Sequence, residues 1–169
     1  MINKMLALAL AILTLTVHTA SVFGQMPGQM RHKKGAKYAE DVNWKSLRDG
    51  RKLAKKEKKP MLVDFAVSED CDRCDFFQNN VYNKKEICDK INSEFVPIWI
   101  DLNGPLTLDE QALGDKFDFK NDCLTLFLDH EGKIIEDPDG KKLCFVDEIE
   151  PEVFIEYLDY VLKNYVPAG

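Results

Sequence analysis

The chain has 169 residues, 45% hydrophobic and 31% charged, with a formal net charge of −6. That length is enough for one domain with a real core, and the acidic balance argues against a nucleic-acid module. The charge is unevenly divided, with a net of +8 over residues 31–60 and −15 over residues 61–169. The basic stretch reads as a tail followed by a solvated helix face. The other reading, a patch for anionic lipid or an acidic partner, is weakened by the interleaved Glu40, Asp41, Asp49 and Glu57.

At the start, Lys4 precedes an apolar run from Leu6 to Val17. The run is too short to span a bilayer comfortably and matches the apolar region of a signal peptide. The stretch Val22-Phe23-Gly24 predicts cleavage after Gly24, with Ala20 the alternative. The predicted organisation is a signal peptide over 1–24, a disordered basic lead-in over 25–40 and one domain over 41–169. No later apolar run is long enough for a membrane helix. The expected product is exported, periplasmic or secreted, with no stable membrane insertion after cleavage. Met26, Met30 and His32 in the lead-in are too few and too loosely spaced for a copper site.

A helix is predicted over 43–58, capped by Asn43, with Trp44, Leu47 and Ala54 on one face and Pro60 ending it. Residues 61–67 read as a strand, an apolar run broken only by Asp64. Apolar neighbours suggest that Asp64 is buried, which raises a carboxyl pKa and suits it to exchange protons near neutrality. The alternative turns it outward to solvent. After a polar loop a helix starts near Cys71, burying Phe76, Phe77 and Val81. A break precedes a second helix over 84–93, with Ile87, Cys88 and Ile91 facing inward and Cys88 read as an apolar filler. Residues 95–101 form a strand at or near a sheet edge, because Pro97 cannot donate to a ladder. A helix over 107–116, a strand over 124–128, a turn at 130–132 and a return strand over 133–136 follow. A second turn at 137–140, a short strand over 142–146 and a helix from Pro151 complete the chain. The order suggests an α/β sandwich around a mixed sheet.

All five cysteines, Cys71, Cys74, Cys88, Cys123 and Cys144, lie beyond the signal region. An odd count leaves at least one thiol unpaired within a monomer. Cys71-Asp-Arg-Cys74 opens a helix directly after a strand. There the free N–H groups of the helix start stabilise a thiolate at the first cysteine. Cys71 is then the nucleophile and Cys74, one turn on, the resolver of a mixed disulfide. Arg73 helps that thiolate, whereas Glu69, Asp70, Asp72 and Asp75 oppose it, which tilts the pair toward a reductant. Asp64 is the expected proton acceptor for Cys74. His32 lies in the lead-in and His130 in a turn, so neither is an obvious partner for a nucleophilic cysteine.

The stretches Lys59-Pro60-Met61-Leu62-Val63-Asp64-Phe65, Cys71-Asp-Arg-Cys74 and Leu126-Phe127-Leu128-Asp129-His-Glu-Gly132-Lys133 together resemble the thioredoxin superfamily. Its exported branches are most similar, including the C-terminal domain of the periplasmic disulfide reductase and the anterior-gradient proteins. The resemblance covers residues 41–165. It implies a thioredoxin-like three-layer sandwich, with helices on both faces of a mixed central sheet, and dithiol–disulfide chemistry at Cys71 and Cys74. It also implies protein thiol or disulfide substrates, an unidentified redox partner, and no cofactor or metal beyond the redox-active disulfide.

The departures from the family pattern cluster at the site. Asp70 stands where the family has Trp, and the loop from Asp64 to Cys71 is one residue longer. Cys123 takes the place of the family's cis-proline, so a trans Asp122–Cys123 bond is expected. Cys144 replaces the glycine ahead of Phe145. The resemblance puts Asp70, Asp122, Cys123 and Cys144 beside substrate and suggests that four sulfurs, those of Cys71, Cys74, Cys123 and Cys144, lie close together. The functional expectation is an exported thiol–disulfide oxidoreductase. The alternatives are a non-catalytic binding or folding-assistance protein of the same fold and a cysteine-rich metal-binding module.

Overall fold

The computed structural model describes residues 41–67, 71–117 and 123–165. The expected signal peptide and lead-in, and the loop residues Asp70 and Asp122, lie outside them, as does the Asp122–Cys123 bond. Among the described residues four strands form one mixed sheet in the order β2-β1-β3-β4. Strand β1 (Met61–Ala66) runs parallel to β2 (Val96–Asp101) and antiparallel to β3 (Leu124–Leu128), and β3 is antiparallel to β4 (Cys144–Phe145).

All six residues of β1 are buried, so both faces of the sheet are covered. On one face Met61, Val63 and Phe65 pack with Ile98, Ile100 and Leu126 under α1 (Leu47–Glu57) and α4 (Leu108–Asp115). The other face carries Leu62, Asp64 and Ala66, because side chains alternate along a strand. It is covered by α2 (Asp72–Phe76), a π-helical stretch (Phe77–Tyr82), α3 (Lys85–Glu94) and α5 (Pro151–Asn164). The core of that face includes Phe77, Tyr82, Ile87, Ile91, Phe127, Phe154 and Leu158. Full burial of each large apolar side chain contributes about 1.5–3 kcal/mol. Cys88 is buried in this layer and accepts a hydrogen bond from Asn92 Nδ2 at 3.3 Å.

Several boundaries differ from those read in the sequence. Helix α1 begins at Leu47 because Ser46, not Asn43, caps it: Ser46 Oγ accepts the Asp49 N–H at 3.2 Å. Trp44 therefore precedes the helix and sits edge-on to Tyr82 and Trp99, on the opposite face of the sheet from Leu47 and Ala54. The end of α1 falls where it was expected, at its cap Lys58, which takes a left-handed conformation with φ 52°. The helix that starts beside Cys71 buries Phe77 and Val81 as expected, but it is not regular to its end. It widens into the π-helical stretch and carries Tyr82 inward. The expected return strand is reduced to isolated bridges, Leu128 to Ile134 and Glu136 to Lys142. The turns on either side place Gly132 and Gly140 at φ 89° and 77°, a region that glycine enters without penalty.

Strand β2 is the edge strand that Pro97 predicts. Beyond it runs a short pairing with the segment ahead of α1: Lys45 N–H donates to the Pro97 carbonyl at 3.0 Å, and Trp99 N–H donates to the Lys45 carbonyl at 3.1 Å. Residue 97 thus turns its peptide groups away from β1, where a proline removes no bond from the β1–β2 ladder.

Candidate redox site

Cys71 caps α2. Its extended backbone (φ −133°, ψ 97°) lets its sulfur accept the Cys74 N–H at 3.1 Å, while its carbonyl accepts the Asp75 N–H at 3.0 Å. Cys71 and Cys74 form a disulfide across one turn, with Cα atoms 5.2 Å apart, inside the ordinary range for such a bridge. The two sulfurs are not equivalent. Cys71 is half-buried at the surface, whereas Cys74 is 4% exposed and packs with Ala66 and Trp99.

Cys123, just ahead of β3, brings a third sulfur to the pair. Its Sγ lies 3.1 Å from the Sγ of Cys71 and 3.1 Å from that of Cys74. Cys144 does not join them. It pairs with Leu126 in the sheet, and its side chain packs into the apolar cluster on the far face, where burial pushes its thiol up. The expected four-sulfur cluster is therefore a cluster of three. The alternation of the β-strand explains the difference, since Phe145, the next residue, occupies the face that carries Asp64.

Asp64 is 1% exposed beneath this layer, so the solvent-facing alternative is excluded. Two neutral hydroxyls hold its carboxylate: Tyr82 donates to Oδ2 at 2.8 Å and Thr125 to Oδ1 at 2.9 Å. Arg73 completes the group, with Nη1 3.7 Å from Asp64 Oδ1 and Nη2 donating to Thr125 Oγ1 at 2.7 Å. Burial pushes the Asp64 carboxyl above its ordinary range, against the pull of the Arg73 charge and of the Tyr82 and Thr125 hydrogen bonds. Burial, reinforced by the Asp64 charge, holds the Tyr82 phenol well above its usual value.

Arg73 was expected to serve the Cys71 thiolate, but its guanidinium is turned inward. It lies 4.6 Å from the Phe77 ring centroid and 5.6 Å from that of Phe145. Sequence reasoning missed Tyr82 and Thr125 as partners of Asp64. Thr125 left a trace as the one hydroxyl in the apolar strand Leu-Thr-Leu-Phe-Leu. Tyr82 left none, because its position depends on the π-helical widening.

A disulfide at the start of the helix that follows the central strand, above a buried acid on that strand, defines a protein of the thioredoxin-like fold. A comparison with family models matches residues 34–123 to the thioredoxin-like DsbH family, described as "Protein of unknown function, DUF255". The chain belongs to that family. Among solved structures, it is similar to a DsbH oxidoreductase, with 17% identity over 83% of this chain and 94% of that one and a TM-score of 0.58. A thioredoxin from Thermus thermophilus matches with 15% identity over 72% and 88% of the two chains and a TM-score of 0.56. The oxidised C-terminal domain of DsbD from Neisseria meningitidis matches with 18% identity over 67% and 90% and a TM-score of 0.52. The search of curated proteins found no match. Among the described residues no helix is long and apolar enough to cross a membrane.

Proposed function

We propose that the protein is an exported thiol–disulfide oxidoreductase that exchanges disulfides with protein substrates through Cys71 and Cys74. The observation that carries this reading is the asymmetry of the pair: a sulfur at the surface joined to a sulfur in the core, over a buried carboxyl that burial holds above its ordinary range. In the reducing direction the Cys71 thiolate attacks a substrate disulfide, forming a mixed disulfide and releasing one substrate thiolate. Cys74 then gives up its proton, for which Asp64 is the acceptor, and attacks Cys71 Sγ. The Cys71–Cys74 bond forms and the second substrate thiolate leaves. The Cys74 N–H aimed at Cys71 Sγ favours the thiolate in the first step. The named relatives, a DsbH oxidoreductase and a DsbD domain, and the signal-like residues 1–24 support this chemistry in an exported setting.

The test is reduction of insulin disulfides by dithiothreitol, with wild type and Cys71→Ser compared. Acceleration by the wild type that the variant loses is expected. Equal rates with and without the wild-type protein sink the proposal.

A further inference from the structure

The redox reading leaves the third sulfur without a role. Cys123 Sγ is equidistant, at 3.1 Å, from both sulfurs of the disulfide, so it lies beside the S–S bond and off its axis. Displacement on a disulfide needs the attacking sulfur aligned with the bond that breaks, and a side-on sulfur is not aligned with it. A triangle of sulfurs has another use. We propose that, once the disulfide is reduced, Cys71, Cys74 and Cys123 form a three-thiolate site for a thiophilic divalent ion of the Zn(II) type, with a fourth position open to solvent.

Four features support the assignment. The three Sγ atoms lie within 4.8 Å of one another and come from two separate segments of chain. Zinc–sulfur bonds of about 2.3 Å at tetrahedral angles need sulfurs about 3.8 Å apart. Opening the disulfide moves its two sulfurs toward that spacing. The Cys74 N–H bonded to Cys71 Sγ is the kind of outer donor that fixes a metal-bound thiolate. Ala66 and Trp99 wall the inner side with apolar surface, while Cys71 and Cys123 are both partly exposed and leave the outer side accessible to a fourth ligand. Cys88 and Cys144 take no part, since one is buried on the inner face of α3 and the other lies on the far face of the sheet.

The balance is simple. An external two-electron reductant converts the disulfide to two thiols. Each of the three thiols then releases one proton as it binds, and no electrons move in the binding step. Because the ion occupies both sulfurs of the exchange pair, metal binding and disulfide formation exclude each other. The assignment does not depend on turnover.

The full chain, reduced with a phosphine under anaerobic conditions, is titrated with Zn(II) against a chromophoric chelator. One ion per reduced chain is expected, with none taken up by the oxidised protein. Cys123→Ala and Cys123→Ser are each expected to weaken binding at least about 100-fold, the upper end of what loss of a supporting outer group costs a metal site. Cys144→Ala is expected to bind within about twofold of wild type. A second readout is alkylation, which Zn(II) should slow at Cys71, Cys74 and Cys123 together. Absence of uptake by the reduced wild type overturns the proposal. So does wild-type affinity in either Cys123 variant, or loss of binding in Cys144→Ala.

Discussion

Tyr82→Phe isolates the hydrogen bond that the buried phenol donates to Asp64 at 2.8 Å. The ring contacts with Trp44, Phe77 and Phe154 do not need the hydroxyl and remain. A hydrogen bond to a charged group contributes about 1.5–3 kcal/mol, and one between neutral groups about 0.5–1.5 kcal/mol. The lost bond therefore costs more where Asp64 is ionised than where it is protonated. Burial already holds the Asp64 carboxyl above its ordinary 3.8. Between that value and the raised one, the folded protein keeps a proton that the unfolded chain has released, so stability falls as pH rises. Removing the phenol raises the carboxyl further and extends that fall to higher pH, deepening the total loss. In urea denaturation of the oxidised protein, the cost of Tyr82→Phe should be about 1 kcal/mol in acid. It should grow by about a further 1 kcal/mol above the raised Asp64 titration. A cost that is flat or shrinks with rising pH would refute the reasoning, because the hydroxyl would then not favour the carboxylate over the acid.

Two further outcomes follow from geometry alone. Gly50→Ala places a Cβ 2.4 Å from Ile98 Cγ1 and 2.6 Å from Ile98 Cδ1, in a fully buried contact between α1 and the edge strand. The overpacking cost of about 1–3 kcal/mol should outweigh the helix-propensity gain of up to about 1 kcal/mol and lower the thermal midpoint; a raised midpoint would count against the tight approach. Cys144→Ser should leave the reduction potential of the Cys71–Cys74 pair unchanged within measurement error by redox titration, because Cys144 lies across the sheet from it; a displaced potential would place Cys144 among the reacting sulfurs.

Strands β1, β2 and β3 and the position of the disulfide pair were legible because they rest on local patterns. The six-residue apolar run of β1, the proline in β2 and the cysteine spacing each carry their meaning within a few residues. The burial of Asp64 was legible for the same reason. What Asp64 touches was not, since Thr125 and Tyr82 reach it from 61 and 18 residues away. The helix start at Ser46 was missed because Asn43 is an equally good cap by type. What distinguishes them is long-range: Asn43 offers its backbone N–H to Asn92 Oδ1 at 2.9 Å. Cys123 and Cys144 look alike in sequence as replacements beside the site. They part because strand alternation sends the Cys144 side chain to the far face, and that depends on its register opposite Leu126.

The pairing of Lys45 with Pro97 and Trp99 also bears on how copies of this molecule meet. An exposed strand edge is a template onto which another chain can zip. Here β2 is shielded along its outer side by the segment ahead of α1 and broken by a proline, while the opposite edge, β4, is only two residues long. The acidic residues Asp147, Glu148 and Glu150 follow β4 after Val146. At neither margin does the sheet offer a long, flat ribbon for a neighbour to extend. Association of copies by strand addition is thereby disfavoured at both margins.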